Sequence, residues 1–339
     1  MMIRRILAAV VTLALAALLL IACWPQLLGL ERAIGVAQLV SLRGLAALVT
    51  LLVAVLLTLI ALLSPLGRRF FAGLAVILVA FSVISTGVLA VRGFGDTAFQ
   101  TLAEGDVVVV GWNTLGDAPG AEAIAALALE QEADVVSLPE TSEEAADAVA
   151  GIMAASGRPM QVLGVQFDRI SKARSTMVLI SDDLGEYAID ETVGNTTTLP
   201  SVVAVPTDGT GPTIIAAHPV APVPGEMSGW RAGLDWLAER CDDPASDVIV
   251  AGDLNSTLDH WASLGSDTGL NACHDAARAT GNAAVGTWPT RMPALLGAPI
   301  DHVLATDAWQ VVGFRVIESV DGSGSDHRPV VAQLRPATD

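Results

Sequence analysis

The sequence predicts an α/β domain, with helices covering a sheet core, held behind a membrane anchor of three helices. Three observations carry this prediction. From residue 95 onward, short apolar runs alternate with Ala-rich stretches of helical length, the pattern of strands and the helices that cover them. Before residue 95 stand three apolar runs, 6–22, 45–63 and 72–91, each close to the ~20 residues a helix needs to cross a bilayer core. Charge divides the chain at the same point. Residues 1–94 hold seven Arg against one acid, Glu31, whereas the remainder holds 11 basic and 35 acidic residues.

Residues 1–94 therefore read as a membrane anchor, with spans at about 6–26, 45–63 and 72–91. Arg4 and Arg5 precede the first span, and Arg68 and Arg69 lie between the second and third. The positive-inside rule makes both sites cytoplasmic and sends everything after the third span to the external face. Arg32 and Arg43 in the outer loop oppose that rule weakly, offset in part by Glu31. The run Leu20, Ile21, Ala22, Cys23 has two readings, a lipoprotein-type signal with a lipidated cysteine or an ordinary cysteine at a helix end. Both leave the large domain outside.

Residues 95–104 form a short tether, and 105–339 the extracytoplasmic domain. Its predicted strands are 107–110, 135–138, 177–180, 202–205, 213–217, 248–251 and 330–334, and its predicted helices 121–132, 143–156 and 230–240. Cys241 and Cys273 are the domain's two cysteines. In an oxidising compartment they read as a disulfide, and in a reducing one as free thiols.

Polar residues recur where these strands end. Asn113, Glu140, His218, Asp253 and Asn255 each follow an apolar run, and Asp301 with His302 and Asp326 with His327 flank two more. Singly, each is a turn former or a helix cap. Recurrence at the end of strand after strand points instead to one shared site.

In order, these motifs are Trp112-Asn113, Pro139-Glu140-Thr141, His218-Pro219, Gly252-Asp253-Leu254-Asn255, Thr287-Trp288-Pro289, Ile300-Asp301-His302-Val303 and Ser325-Asp326-His327-Arg328-Pro329. The set resembles the endonuclease/exonuclease/phosphatase superfamily, which includes type I deoxyribonuclease, abasic-site endonucleases, inositol polyphosphate phosphatases and neutral sphingomyelinases. The resemblance covers about residues 105–335 and implies a four-layer αββα sandwich with its site at one edge. The preceding spans are similar to those of membrane-anchored actinobacterial members. Pro139 stands where many relatives carry Gln.

The resemblance implies Glu140, Asn113 and Asp326 as ligands of Mg²⁺ or Mn²⁺, and their hard oxygens suit such ions. It also implies His327 as general base, Asp301 as the acid that orients it, Asp253 and Asn255 around the attacking water and phosphoryl oxygens, and His218 as a phosphate contact. The sole tyrosine, Tyr187, lies outside these motifs. His302 faces away from Asp301 on an extended strand and reads as a packing residue. His260 and His274 read as surface or helix residues. Trp288 is equally suited to lining the cleft or to a structural turn, and the Pro-rich loop 219–224 to bordering the mouth.

The expected function is membrane-anchored, metal-dependent hydrolysis of a phosphodiester or pyrophosphate. The bilayer is the expected partner and a lipid-linked phosphate the expected substrate. Long nucleic acid is disfavoured because affinity for it comes mainly from Lys and Arg, and an extracellular nuclease would have to draw on Arg169, Lys172, Arg174 and Arg328. A non-catalytic binding module on the same scaffold is the third reading. Nothing in the sequence calls for a protein partner.

Overall fold

The computed structural model describes residues 2–95, 98–168, 170–266 and 268–337. Three helices, α1 (Met2–Cys23), α3 (Arg43–Leu63) and α4 (Arg68–Arg92), are long and apolar enough to cross a membrane. The first span ends sooner than the expected residue 26: Pro25, which lacks an N–H and restricts the residue before it, opens a separate 3-10 turn, Pro25–Leu28. A short helix, α2 (Val36–Ser41), fills the loop before α3 and was not foreseen. Thr50 and Ser82 meet across α3 and α4 at 2.8 Å.

The domain is built from two sheets. Strands β1 (Val107–Gly111), β2 (Val135–Pro139), β3 (Met160–Gln166), β4 (Ser175–Ser181), β13 (Trp309–Val316) and β14 (Val330–Pro336) make the first, in the order β13-β14-β1-β2-β4-β3. The second holds β5 (Tyr187–Ile189), β6 (Val202–Pro206), β7 (Thr213–Ala217), β8 (Val248–Asp253), β9 (Gly265–Ser266), β10 (Gly269–Leu270), β11 (Cys273–Asp275) and β12 (Asp301–Ala305), in the order β5-β6-β7-β8-β12-β11-β10-β9. Helices α5 (Ala121–Glu130) and α6 (Glu143–Ala155) cover the first sheet, and α7 (Met227–Arg240) the second. A helix of 4 residues, α8 (Ala276–Ala279), follows β11. This is the four-layer αββα sandwich.

Alternation explains the layers. Val107 and Val109 join the core between the sheets, while Val108 and Val110 join the core beneath α5 and α6 with Ile124, Val149 and Met153. Every predicted strand and helix forms. The unpredicted strands are chiefly β3 and β13, which occupy the two edges of the first sheet and are only partly buried, so their sequences lack a continuous apolar run.

Parallel pairing of β1 with β2 and of β7 with β8, with β14 and β12 running antiparallel to β1 and β8, brings six chain segments to one edge. The ends of β1, β2, β7 and β8 and the starts of β12 and β14 converge there. Ser137 Oγ donates to Ala251 O at 2.8 Å, tying the two sheets just below that edge. Gly252 (φ 143°) is required by close approach: a Cβ there would lie 2.2 Å from Ala217 O.

The tether is not free of the domain. Gly95 N–H donates to Gly281 O at 3.1 Å, Arg315 stacks over the Phe99 ring at 4.5 Å, and Arg335 binds Asp106, Gln100 and Thr101 O. Asp96 and Thr97 lie outside the described residues. Cys241, just after α7, is joined to Cys273 in β11 as a disulfide, and Cys23 is a free cysteine. Closing a loop of 32 residues restricts the unfolded chain. The Cys241→Ser, Cys273→Ser double variant is therefore expected to lose about 2–4 kcal/mol of stability, read as a lower melting temperature that reducing agent no longer changes.

Candidate active site

The register of β8 with β12 places Asp301 directly opposite Asp253. From β14's start, His327 reaches into the same space. Its Nδ1–H donates to Asp301 Oδ2 at 2.8 Å, with Oδ1 at 3.1 Å, which fixes the tautomer and turns Nε2 toward Asp253 Oδ2, 3.7 Å away. Backbone bonds hold the segment: His327 N–H donates to Ser325 Oγ at 3.0 Å, Ser325 Oγ to Asn113 O at 2.7 Å, and Trp112 Nε1 to His327 O at 3.0 Å. Thr287 Oγ accepts from the Asp301 N–H at 3.1 Å.

Asn113 Nδ2 bridges two carboxylates, donating to Glu140 Oε1 and to Asp253 Oδ2, each at 3.0 Å. Its Oδ1 accepts from Leu115 N–H at 3.0 Å. Asn255 repeats the logic on the other side. Its N–H donates to Asp253 Oδ1 at 2.9 Å, and its Nδ2 to Asp253 Oδ2 and Pro219 O, each at 3.1 Å. Both amide hydrogens are thus committed to holding Asp253 and the 219–224 loop. Glu140 (φ 56°) and Asn255 (φ 45°) sit in the left-handed region, a conformation costly for non-glycine residues and typical of functional sites.

Electrostatics follow from burial and mutual proximity. Burial alone would depress the His327 imidazolium, but Asp301 and Asp253 outweigh it and hold its pKa above the ordinary value. Burial pushes the Asp253 carboxyl up, opposed by His327 and reinforced by Asp301. Glu140 is raised by burial as well, against the Asn113 hydrogen bond. His218, fully buried beside the His327 charge, is driven down to about 3 and stays neutral. Its N–H in the backbone donates to Ser201 Oγ at 2.9 Å, its Nδ1 faces Thr176 Oγ at 3.4 Å, and its buried Nε2 has no hydrogen-bond partner, 3.8 Å from Glu140 Oε1.

One carboxylate oxygen is left similarly exposed to a missing partner. Asp326 Oδ2 accepts from Trp288 Nε1 at 2.8 Å, but Oδ1 is sealed from solvent without a partner. An orphaned carboxylate oxygen with Glu140 nearby is a donor set suited to a hard divalent cation. Asp253, Asp301 and His327 also bring ligand atoms within 4.8 Å of one another. We read that grouping as a base with its orienting acid, because Asp301 already occupies His327 Nδ1.

Residues 110–327 match the family model described as the Endonuclease/Exonuclease/phosphatase family. The chain belongs to that family. Solved structures agree at the level of fold. A D. rerio TDP2 humanized by 14 mutations is 16% identical, with 68% of this chain and 100% of that one covered and a TM-score of 0.53. The human Nocturnin catalytic domain with bound sulfate anion is 16% identical, with 71% and 97% covered and a TM-score of 0.50. An endonuclease/exonuclease/phosphatase from Bacteroides vulgatus is 16% identical, with 68% and 99% covered and a TM-score of 0.50. A search of curated proteins finds no match.

Members of the endonuclease/exonuclease/phosphatase family are typically hydrolases of phosphoester bonds that depend on a divalent metal. All eight residues singled out in the sequence, Asn113, Glu140, His218, Asp253, Asn255, Asp301, Asp326 and His327, meet at this edge of the family fold. The other histidines separate from them. His302 is buried on the opposite face, 2.6 Å from Asp275 Oδ2. His260 lies in a short 3-10 helix, Leu258–Trp261, and is fully buried rather than at the surface, its ring held between Thr257 N–H and Ala37 O. His274 is a partly exposed residue of a strand, β11, 3.1 Å from Asp307.

Sequence reasoning placed Ser325 and Thr287 in its motifs without giving them a role, weighed Trp288 as a cleft residue, and missed Ser201 and the residues between α1 and α3. Ser325, Thr287 and Ser201 position the site by hydroxyl bonds to its backbone, a role with no distinctive pattern. Trp288 lines the cleft and binds Asp326. Least expected, Gln38, Ser41 and Leu42, from the segment between α1 and α3, line the same cleft.

Proposed function

We propose that this chain is a divalent-metal-dependent phosphoesterase of the external membrane face, hydrolysing a lipid-linked phosphodiester or pyrophosphate. The observation that carries the chemistry is His327, clamped at Nδ1 by Asp301 with Nε2 aimed into a cleft that also holds Glu140 and Asp326.

Glu140 and Asp326 would hold Mg²⁺ or Mn²⁺, joined by Asn113 if its amide turned its Oδ1 from Leu115 N–H to the side that Nδ2 now presents to Glu140; the bound ion would polarise the phosphoryl group and offset charge on the leaving oxygen. Positive charge there also favours the neutral form of His327 that a base requires. His327 Nε2 then takes the proton of the attacking water, while Asp301 stabilises the imidazolium. Asp253, held by Asn113 and Asn255, orients that water. The neutral His218 offers its unpartnered Nε2 edge to a phosphoryl oxygen, and Asn255 joins it once its bond to Pro219 O is exchanged.

The lipid reading rests on three supports. The anchor helices hold the cleft beside the bilayer. The Arg4, Arg5, Arg68 and Arg69 pattern and the Cys241–Cys273 disulfide both suit an external, oxidising location. Two of the basic residues an extracellular nuclease would need are engaged elsewhere: Lys172 pairs with Asp117 at 2.7 Å, and Arg328 is buried against Asp321 and the carbonyls of Gly286, Thr290 and Met292, whereas Arg174 Nε has no hydrogen-bond partner. Arg169 lies outside the described residues.

The test is a phosphate-release and mass-spectrometric screen of the metal-loaded full chain in vesicles, against a polyprenyl pyrophosphate, phospholipids, inositol phosphates and DNA. Turnover of a lipid substrate that stops on chelation is the expected result. Efficient DNA cleavage with the lipids untouched would establish the nuclease instead, and binding without metal-dependent turnover the non-catalytic module.

A further inference from the structure

The loop joining α1 to α3 does not lie free on the surface; it is built into the domain. Ala37 is fully buried among Val220, Met227, Trp230 and Leu234. Gln38 Nε2 donates to Pro222 O and meets Met227 Sδ at 3.5 Å, and His260 Nε2 bonds Ala37 O at 3.1 Å. At the flanks, Arg32 pairs with Asp235, and Arg231 donates to Arg32 O at 2.9 Å. Gly44 passes so close to the domain that a Cβ would lie 2.1 Å from Leu295 O.

Held there, α2 faces the reaction cleft. Gln38, Ser41 and Leu42 line one side of a cavity of about 490 Å³ whose floor carries Glu140, Asp253, Asp326 and His327. Beside them, Val220, Pro222 and Val223 from the Pro-rich loop also line it. Val223 of the cleft lining is exposed, as is Leu39 of α2. Leu42, Val220 and Val223 thus give an apolar side to a cleft whose reacting groups are polar.

We infer that residues 38–42 of the anchor form a specificity wall of the active site, receiving the apolar group next to the phosphate of a lipid-linked substrate. The inference rests on the phosphoesterase reading above and goes beyond it: the membrane segment is part of the enzyme's binding site as well as its attachment. Leu42 is the residue placed to discriminate. It offers the lipid chain an apolar contact at the cleft wall, whereas a small water-soluble phosphodiester reaches the same polar floor without needing that wall. An apolar contact of this kind discriminates by roughly 10–100-fold.

The experiment compares full-length wild type with Leu42→Asn, a change compatible with Leu42's position ahead of α3, in vesicles. The probes are the lipids of the screen above and bis(p-nitrophenyl) phosphate. We expect kcat/KM for the lipid to fall at least tenfold and that for the soluble diester to fall much less, so that the ratio of the two shifts at least fivefold. In parallel, Gln38→Cys with Pro222→Cys is treated with a short bis-maleimide, and the 38–222 cross-linked peptide is expected by mass spectrometry. Equal losses on both probes, or an active chain that yields no cross-link, overturn the wall while leaving lipid hydrolysis in place. Wild type that cleaves the soluble diester but no lipid overturns the lipid reading itself, and the wall with it.

Discussion

Replacing His327 by alanine is expected to lower phosphoester hydrolysis by about 10²–10⁴-fold, the usual contribution of a positioned general base, and to lower the melting temperature too, because the buried Asp301 loses its partner. The reasoning is geometric. His327 Nδ1 is bound to both oxygens of Asp301, so only Nε2 is available to the cleft. The backbone that carries it is fixed by Ser325 and Trp112 and would survive loss of the side chain. Asp301→Asn should cost nearly as much, since an amide can donate to Nδ1 and turn the ring to the wrong tautomer. Steady-state kinetics with a soluble diester measure both variants. Retention of more than a tenth of wild-type kcat in His327→Ala would remove this residue from the base's role.

Asp259→Ala is expected to cost about 3–5 kcal/mol, the penalty for breaking a buried ion pair from one side. Asp259 is 3% exposed and accepts from Arg43 Nη2 at 2.7 Å and from Arg92 Nη1 at 2.8 Å. Those arginines begin α3 and end α4, so a single carboxylate joins both helix ends to the domain, and removing it leaves two guanidinium groups sealed without a counter-charge. Burial would raise the Asp259 pKa, but Arg92 and Arg43 more than reverse this and hold it below the ordinary range. A depressed folded-state pKa contributes stability that is complete above the unfolded value, near pH 4, and fades as pH falls through the folded value. The cost of Asp259→Ala should therefore be full at neutral pH and shrink in acid. Thermal melting from pH 7 down to pH 3 measures it, and faster proteolysis at residues 93–105 would report release of the domain from the helices.

Much of this protein was determined by local sequence. Uniform apolarity over the length of a bilayer core specified three helices long and apolar enough to cross a membrane, and runs such as Val107–Gly111, buried on both faces, specified strands because a continuous apolar run has no exposed face to pattern. The site's identity was equally legible, since Asp253, Asp301, Asp326 and His327 stand at strand ends, where a polar residue beside a buried run has few other reasons to recur. The tertiary structure decided the rest, through contacts between residues far apart in the chain. Register alone set Asp301 opposite Asp253. Edge strands β3 and β13 owe their place to pairing with β4 and β14 rather than to their own composition. The pair Cys241–Cys273 could be read either way until the fold set the two Cα atoms 5.4 Å apart. The docking of 36–43 onto the domain depends on Asp259, Pro222 and His260, more than 180 residues downstream; no periodicity encodes such a contact, because it is the packing of two finished surfaces that creates it.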